Sequence, residues 1–240
     1  MKIRDYNKST IEEIEEKFDN QVHRYSDINT GQETAMDSVL IMELVSRMAI
    51  AAKPEATHIL DIGCGAGNYT LKILEKIPGL NCTLIDLSKN MLNKAKERIR
   101  EKTKGEIKTI HSDIREVEIE HDKYDIVVAA TSLHHLRDDD EWITIFKRIY
   151  NSLKPNGAFF ISDLILYDNN SIDQEAWNDY WEYLDKKGGE KLKNWVYEHI
   201  DKEDTPRSLN YITGLLKETG FRQTEIFYRR SVFAALCGIK

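Results

Sequence analysis

The stretch THILDIGCGAG, residues 57–67, decides the fold of this chain. Its first half is a short apolar run that predicts a buried strand at 57–61, and Gly63, Gly65 and Gly67 follow it. Glycines between a strand and a helix let the backbone turn tightly and approach a ligand closely, and the helix start offers free N–H groups. We therefore expect a nucleotide-like ligand here. A plain strand-to-helix turn is the alternative interpretation.

Downstream of this stretch, helical and strand periodicities alternate. This alternation predicts a doubly wound parallel α/β sheet with helices on both faces. The expected helices are 71–77, 91–99, 140–153 and 208–219, and the expected strands are 82–85, 107–110, 124–130, 158–161, 224–228 and 232–237. The last two strands are expected to form an antiparallel pair that closes the chain.

Two regions fall outside the alternating pattern. Upstream, helical spacing predicts helices at 11–20 and 35–52, the first with Thr10 as N-cap and Glu13 in a capping box, separated by a polar break at 23–32. Downstream, 171–204 carries aromatic residues at helical intervals among many carboxylates. We expect 1–52 to be an N-terminal helical lid and 53–240 to be the main domain, with 171–204 as an inserted helical cap. Its aromatics are expected to pack against the sheet more than to form a substrate cage.

Acidic residues follow the predicted strands. Gly67 is followed by Asn68, so the lysine of a triphosphate-binding loop is missing, and Asp61 would repel a pyrophosphate but suit a cationic group. Asp86 ends the second strand, where a carboxylate can bind both hydroxyls of a ribose; capping the next helix is its alternative role. Asp113, after the third strand, could accept a hydrogen bond from an exocyclic amine, or could belong to a plain surface turn. The pattern favours an adenosine ligand with a cationic part.

Composition narrows the class of protein. The chain has 240 residues, 34 Lys plus Arg against 41 Asp plus Glu, and a formal charge of -7, which disfavours nucleic-acid binding. Its three cysteines form no CxxC pair, so we expect reduced thiols and no metal site. No apolar run approaches the ~20 residues that a membrane span needs. These features predict a cytoplasmic protein without a membrane partner.

Together DIGCGAG, LIDLS, SDI, YDIVVAATSLHHL and LKPNG resemble class I S-adenosylmethionine-dependent methyltransferases, in order along most of the chain. The resemblance implies a doubly wound, seven-stranded Rossmann-like sheet whose last strand is antiparallel. It also implies S-adenosyl-L-methionine as cofactor, S-adenosyl-L-homocysteine as product and a small or medium-sized acceptor. The cofactor-binding residues that it implies are Tyr25, Asp61, Gly63, Cys64, Gly65, Asp86, Leu87, Asp113, Ile114 and Ala130.

Two roles depend on weaker parts of the resemblance. Tyr25, in an FDxxxxxYS-like stretch, would bring its hydroxyl to the cofactor carboxylate, or else would only help to hold the first helix on the core. His134 follows the fourth strand and could take a proton from the acceptor, or could instead hold its loop. Asp163 is similarly placed. A homodimer is left open.

Two other functions stay open. The leading FDN and the long insertion are also similar to carboxy-S-adenosylmethionine synthase, an enzyme of tRNA wobble-uridine modification. That family uses an arginine in the inserted region, where this sequence has Lys191 and Lys193 instead. The third possibility is a non-catalytic protein that binds S-adenosylmethionine, although the glycine-rich turn and Asp86 are both intact.

Overall fold

The computed structural model describes residues 8–28 and 31–240 of the chain. Its centre is one sheet with helices on both faces. The helices are α1 (Ile11–Asp19), α2 (Val22–Ser26), α3 (Ser38–Ala52), α4 (Asn68–Leu74), α5 (Lys89–Arg100), α6 (Asp139–Ser152), α7 (Asn170–Glu203) and α8 (Leu209–Thr219). The strands are β1 (His58–Ile62), β2 (Asn81–Asp86), β3 (Ile107–His111), β4 (Tyr124–Ala130), β5 (Leu153–Leu166), β6 (Arg207–Ser208), β7 (Gln223–Arg230) and β8 (Phe233–Ile239).

The sheet has the order β3-β2-β1-β4-β5-β8-β7, and the two-residue β6 pairs with β5 beside it. The first five strands pair in parallel, whereas β8 runs antiparallel to both β5 and β7. This confirms the predicted doubly wound, seven-stranded sheet with an antiparallel last strand. The carboxyl ends of β1, β2, β3 and β4 therefore meet at one edge, where ligands bind in open α/β sheets.

The side chains of successive residues in β4 are buried on opposite faces of the sheet. Ile126 and Val128 belong to the core under α3, α4 and α5, and Val127 and Ala129 belong to the core under α6 and α8. A parallel strand that is covered on both faces reads as a continuous apolar run. That burial explains why YDIVVAA is recognisable as a strand from its sequence.

Several local expectations needed correction. The polar stretch at 23–32, expected to be a break, overlaps the short helix α2. Strand β5 begins at Leu153 rather than at 158, and the predicted helix 140–153 ends at Ser152. The LKPNG turn is an irregularity inside β5, because Tyr124 pairs with Leu153 and Ile126 already with Ala158. The two-residue strand β6 was not expected.

The inserted segment forms the long helix α7, as its periodicity predicted. The helix is interrupted at Gly188 and Gly189, whose backbone angles are not helical. Asn169 caps its start by accepting hydrogen bonds from the backbone N–H groups of Ser171 and Ile172. Among the described residues, no helix combines the length and hydrophobicity needed to cross a membrane.

Candidate active site

A cavity of about 160 Å³ lies at the carboxyl edge of the sheet. We call it the first cavity. Every residue that the sequence predicted for cofactor binding lies in its wall: Tyr25, Asp61, Gly63, Cys64, Gly65, Asp86, Leu87, Asp113, Ile114 and Ala130. The structure therefore brings together residues from the N-terminal region and from the ends of four strands, which is the arrangement that the sequence pattern predicted.

The glycine-rich loop forms the floor of the first cavity. Gly63 has a φ of +64°, and a Cβ there would lie 2.5 Å from the Cβ of Ser132. Gly65 also has a positive φ, +49°, but a Cβ there would meet no atom within 4 Å, so its open side belongs to the cavity. Gly63 is thus needed for backbone packing, and Gly65 leaves room for a ligand beside the loop.

Asp86 joins the end of β2 to this loop. Its Oδ2 accepts a hydrogen bond from the backbone N–H of Gly65 at 2.7 Å, and its Oδ1 accepts one from that of Ser88 at 2.8 Å. The cap of α5 is Ser88, whose hydroxyl accepts from the backbone N–H of Met91. Asp86 is therefore not the helix cap. A carboxylate has about four acceptor positions, so each oxygen keeps capacity for a ligand hydroxyl.

Burial raises the pKa of two of the three carboxyl groups in the wall of the first cavity, those of Asp61 and Asp86. The pKa of Asp86 and that of Asp61 are each raised to about 6, and hydrogen bonds, such as the one from the Thr70 hydroxyl to Asp61, only partly oppose the effect. Within residues 8–28 and 31–240, no lysine or arginine pairs with either side chain. A cationic ligand would supply the missing positive charge, so these residues fit an adenosyl sulfonium compound.

Asp113 is bound by a neighbour that the sequence reasoning missed. Arg115 donates from Nε to Oδ1 at 2.8 Å and from a terminal nitrogen to Oδ2 at 2.5 Å. Although burial raises the pKa of Asp113, the bonds from Arg115 outweigh it and the pKa is lowered. Asp113 therefore stays ionised and fixed in orientation, with acceptor capacity left for an amine.

The N-terminal helices α1 and α2 form one side of the first cavity. Phe18 and Tyr25 line it, with their ring centroids 5.7 Å apart. Asp19 accepts hydrogen bonds from the Ser88 hydroxyl at 2.5 Å and from the backbone N–H of Asn90 at 3.0 Å. These bonds attach α1 to the start of α5. Burial raises the pKa of Tyr25, so its phenol keeps its proton and remains a hydrogen-bond donor.

A second cavity of about 110 Å³ adjoins the first. The two share five wall residues, which are Phe18, Tyr25, Gln32, Thr131 and His135. The rest of the second cavity is built mainly by α7 and the segment before α3, and it includes Tyr180 and Trp195. The aromatic residues of α7 therefore serve two purposes. Trp177 is buried in the core, whereas Tyr180 and Trp195 also line the second cavity.

His134 lies in the wall of the second cavity. Its Nδ1 pairs with Oδ1 of Asp163, and its Nε2 lies 3.6 Å from Oδ1 of Asp204. Burial lowers the pKa of His134, but the charges of Asp163 and Asp204 outweigh it and raise that pKa to about 9. His134 and Asp163, both expected near the carboxyl ends of their strands, are in direct contact. The role of His134 as a base stays a prediction.

Several wall residues escaped the sequence reasoning. Gln32 and Ser132 line the first cavity, and Asp204 and His199 line the second. Ser132 directly follows the fourth strand and could have been found from that position. No sequence pattern distinguishes Asp204, because it is one of many carboxylates in the acidic segment at the end of α7.

The comparisons with known proteins agree with this geometry. Residues 59–157 match the family model described as a methyltransferase domain. Carboxy-S-adenosyl-L-methionine synthase of Shewanella piezotolerans is 26% identical over 208 residues, which cover 82% of this chain and 83% of that protein.

Solved structures show the same fold. Human N-acetylserotonin methyltransferase, in complex with S-adenosylmethionine, has a TM-score of 0.61 at 17% identity and covers 98% of this chain; the chain spans 63% of that structure. A Burkholderia thailandensis 1,6-didemethyltoxoflavin-N1-methyltransferase has a TM-score of 0.64 at 16% identity and covers 97% of this chain and 91% of its own. The chain therefore has the fold of these methyltransferases, and its residues 59–157 match a methyltransferase domain.

Proposed function

We propose that the chain transfers a methyl group from S-adenosyl-L-methionine, bound in the first cavity, to a small acceptor held in the second. The observation that carries the proposal concerns Asp61, which is buried, and Asp86, which is half-buried: no described lysine or arginine pairs with either carboxyl group. The cofactor carries positive charge at its sulfonium and amino groups. A triphosphate or pyrophosphate would instead add negative charge to this wall.

Each predicted cofactor residue has a place in this proposal. Asp86 would accept hydrogen bonds from the ribose hydroxyls, and the loop of Gly63, Cys64 and Gly65 would contact the methionine part. Asp113 would accept from the adenine amine beside Ile114. Tyr25, a protonated phenol, would donate to the cofactor carboxylate. Leu87 and Ala130 would pack against the ligand from the ends of their strands.

The shared wall of the two cavities supports the transfer step. Methyl transfer is an in-line displacement at a sulfonium carbon, so an enzyme contributes mainly approach geometry and exclusion of water. Phe18 and Tyr25 border both cavities and close them from the N-terminal side. We propose that the N-terminal region 1–52, of which residues 8–28 and 31–52 are described, acts as a lid and that α7 shapes the acceptor pocket.

Carboxy-S-adenosylmethionine synthesis is the second candidate, because relatives with that name align over most of the chain. Its extra carboxylate calls for a cation. The described residues that line the second cavity include no lysine or arginine, and the imidazolium of His134 is already paired with Asp163. This favours methyl transfer to an acceptor without a carboxylate at that position.

Product analysis tests the two candidates. The purified protein is incubated with S-adenosylmethionine and pools of small hydroxylated and aminated compounds, and separately with pools of small carboxylic acids as carboxyl donors. The products are measured by mass spectrometry. S-adenosylhomocysteine formed only with an acceptor supports methyl transfer. A carboxylated cofactor would favour the second candidate, and binding without any turnover would favour a non-catalytic protein. A cytoplasmic location and a homodimer remain expectations.

A further inference from the structure

Two imidazoles and one carboxylate meet in the wall of the second cavity. His134 and His135 lie in a short 3-10 helix after β4, and Asp204 directly follows α7. Oδ1 of Asp204 lies 3.6 Å from Nε2 of His134 and 3.5 Å from Nδ1 of His135. The three atoms all lie within 4.8 Å of one another. All three are types of atom that bind metal ions in proteins.

The separations are too long for hydrogen bonds and close to those around a metal ion. An N–H donor and an oxygen acceptor are usually about 2.7–3.2 Å apart. A tetrahedral ion with bonds of about 2.1 Å holds neighbouring ligand atoms about 3.4 Å apart. The distances of 3.5 and 3.6 Å from Asp204 to the two rings are near this value.

One oxygen of Asp204, Oδ1, accepts no hydrogen bond from the described residues and only faces the rings of His134 and His135. The Asp204 side chain is 1% exposed. An unpaired buried carboxylate oxygen is unfavourable, because burial removes its water without replacing the bonds. A cation located between Asp204 and the two rings would remove this cost.

Asp163 orients His134 for such a cation. Its Oδ1 pairs with Nδ1 of the ring, while its Oδ2 accepts from the backbone N–H groups of Leu133 at 3.0 Å and His134 at 3.2 Å. A carboxylate on Nδ1 holds the proton there and directs Nε2 towards Asp204. Histidines that bind metals commonly have a carboxylate on the other ring nitrogen.

We propose that His134 Nε2, His135 Nδ1 and Asp204 Oδ1 bind one divalent transition-metal ion, of which Zn²⁺ is the representative. Two nitrogen ligands and one carboxylate suit Zn²⁺ and its neighbours, whereas Mg²⁺ and Ca²⁺ prefer oxygen ligands alone. The sequence predicted no metal site, because its three cysteines are scattered and Asp204 lies far from His134 and His135 along the chain.

A metal ion at this site could bind the acceptor molecule next to the cofactor. All three ligand residues line the second cavity, so a fourth coordination position facing that cavity would accept an oxygen or nitrogen of the acceptor. A metal ion lowers the pKa of a hydroxyl group bound to it. Only this use rests on the proposed methyl transfer; the binding of the ion does not.

Metal titration of the full-length protein tests the inference. The protein is dialysed against a chelator, and Zn²⁺ binding is measured by calorimetry and Co²⁺ binding by visible absorption. We expect one ion per chain and the intense bands of four-coordinate Co²⁺. Asp204→Asn and His134→Ala should each weaken binding about a hundredfold, whereas His121→Ala, an exposed histidine outside both cavities, should not.

Two results would overturn the inference. One is a wild-type protein that binds no stoichiometric Zn²⁺, a result that does not depend on how any variant folds. The other is unchanged binding in Asp204→Asn and His134→Ala, with circular dichroism confirming their fold. S-adenosylmethionine is titrated into the same samples. Its binding without metal binding would refute the metal site alone, and metal binding without it would refute the proposed function alone.

Discussion

The two cavities differ in how the chain builds them. The first cavity takes most of its wall from short segments that follow β1, β2, β3 and β4, each a few residues long. The second takes its wall from places far apart in the sequence, such as Thr34, His134 and Trp195. Parallel strands bring their carboxyl ends together by topology, so a cofactor site there is encoded locally. An acceptor site that depends on an inserted helix is not.

The charges of the two cavities differ as well. In the first cavity, no described lysine or arginine pairs with Asp61 or Asp86. In the second, the carboxylate of Asp204 lies beside imidazoles, and much of the remaining wall is aromatic or apolar. We assign the cofactor to the first cavity and the acceptor to the second. Substitutions in the first cavity should therefore change cofactor affinity, and substitutions around the second should leave it nearly unchanged.

The largest effect is expected for Gly63→Ala. The new Cβ would lie 2.5 Å from that of Ser132, at a φ of +64° that favours glycine. Strain and displacement should lower the free energy of unfolding by about 2–4 kcal/mol and abolish measurable S-adenosylmethionine binding. Gly79→Ala is the matched control, because a Cβ there meets nothing within 4 Å. Denaturant unfolding and calorimetry measure both quantities, and wild-type values for Gly63→Ala would refute the role of this turn.

Asp86→Ala should come next. Removing the carboxylate leaves the ribose hydroxyls unpaired and releases the backbone N–H of Gly65, so S-adenosylmethionine affinity should fall by about 1–3 kcal/mol, or roughly 5- to 150-fold. Calorimetric titration measures the change. Asp179→Ala, an exposed carboxylate on α7 that lines neither cavity, should bind as the wild type does. Unchanged affinity in Asp86→Ala would show that Asp86 only holds the loop.

Acid should weaken cofactor binding. Burial raises the pKa of Asp61 and that of Asp86 to about 6 in the ligand-free protein, so both become neutral as the pH falls below that value. A cationic ligand favours the ionised forms. Affinity should therefore be constant above about pH 7 and fall about tenfold per pH unit below 6 for each carboxyl that must ionise. Titrations from pH 5 to 8 check this, and tighter binding in acid would contradict it.

The smallest effect is expected at the second cavity. The Tyr180 hydroxyl donates a hydrogen bond to the backbone oxygen of Thr34 at 2.9 Å, which attaches α7 to the N-terminal segment. Tyr180→Phe should lower the free energy of unfolding by about 1 kcal/mol and change S-adenosylmethionine affinity less than about threefold. Tyr197→Phe, an exposed tyrosine of the same helix, is the control. A loss of cofactor affinity as large as that of Asp86→Ala would show that the cavities are not separable.

The same contrast explains how far the sequence could be interpreted. Asp86 and Gly65 were found because strand ends and glycine turns have a fixed place in an α/β sheet, and YDIVVAA because both faces of β4 are buried. The helix α2 and the irregular start of β5 depend on packing that no short pattern records. Asp204 was missed for another reason: its partners, His134 and His135, are distant in sequence and reach it only through the path of α7.

Parallel calorimetric titration of the purified protein with S-adenosylmethionine, S-adenosylhomocysteine and NADH tests the central claim most directly. We expect both adenosyl compounds to bind with one site per chain, NADH not to bind, and Gly63→Ala to lose both adenosyl ligands. Binding of NADH without the adenosyl compounds, or binding of none of the three, would contradict the assignment of the first cavity.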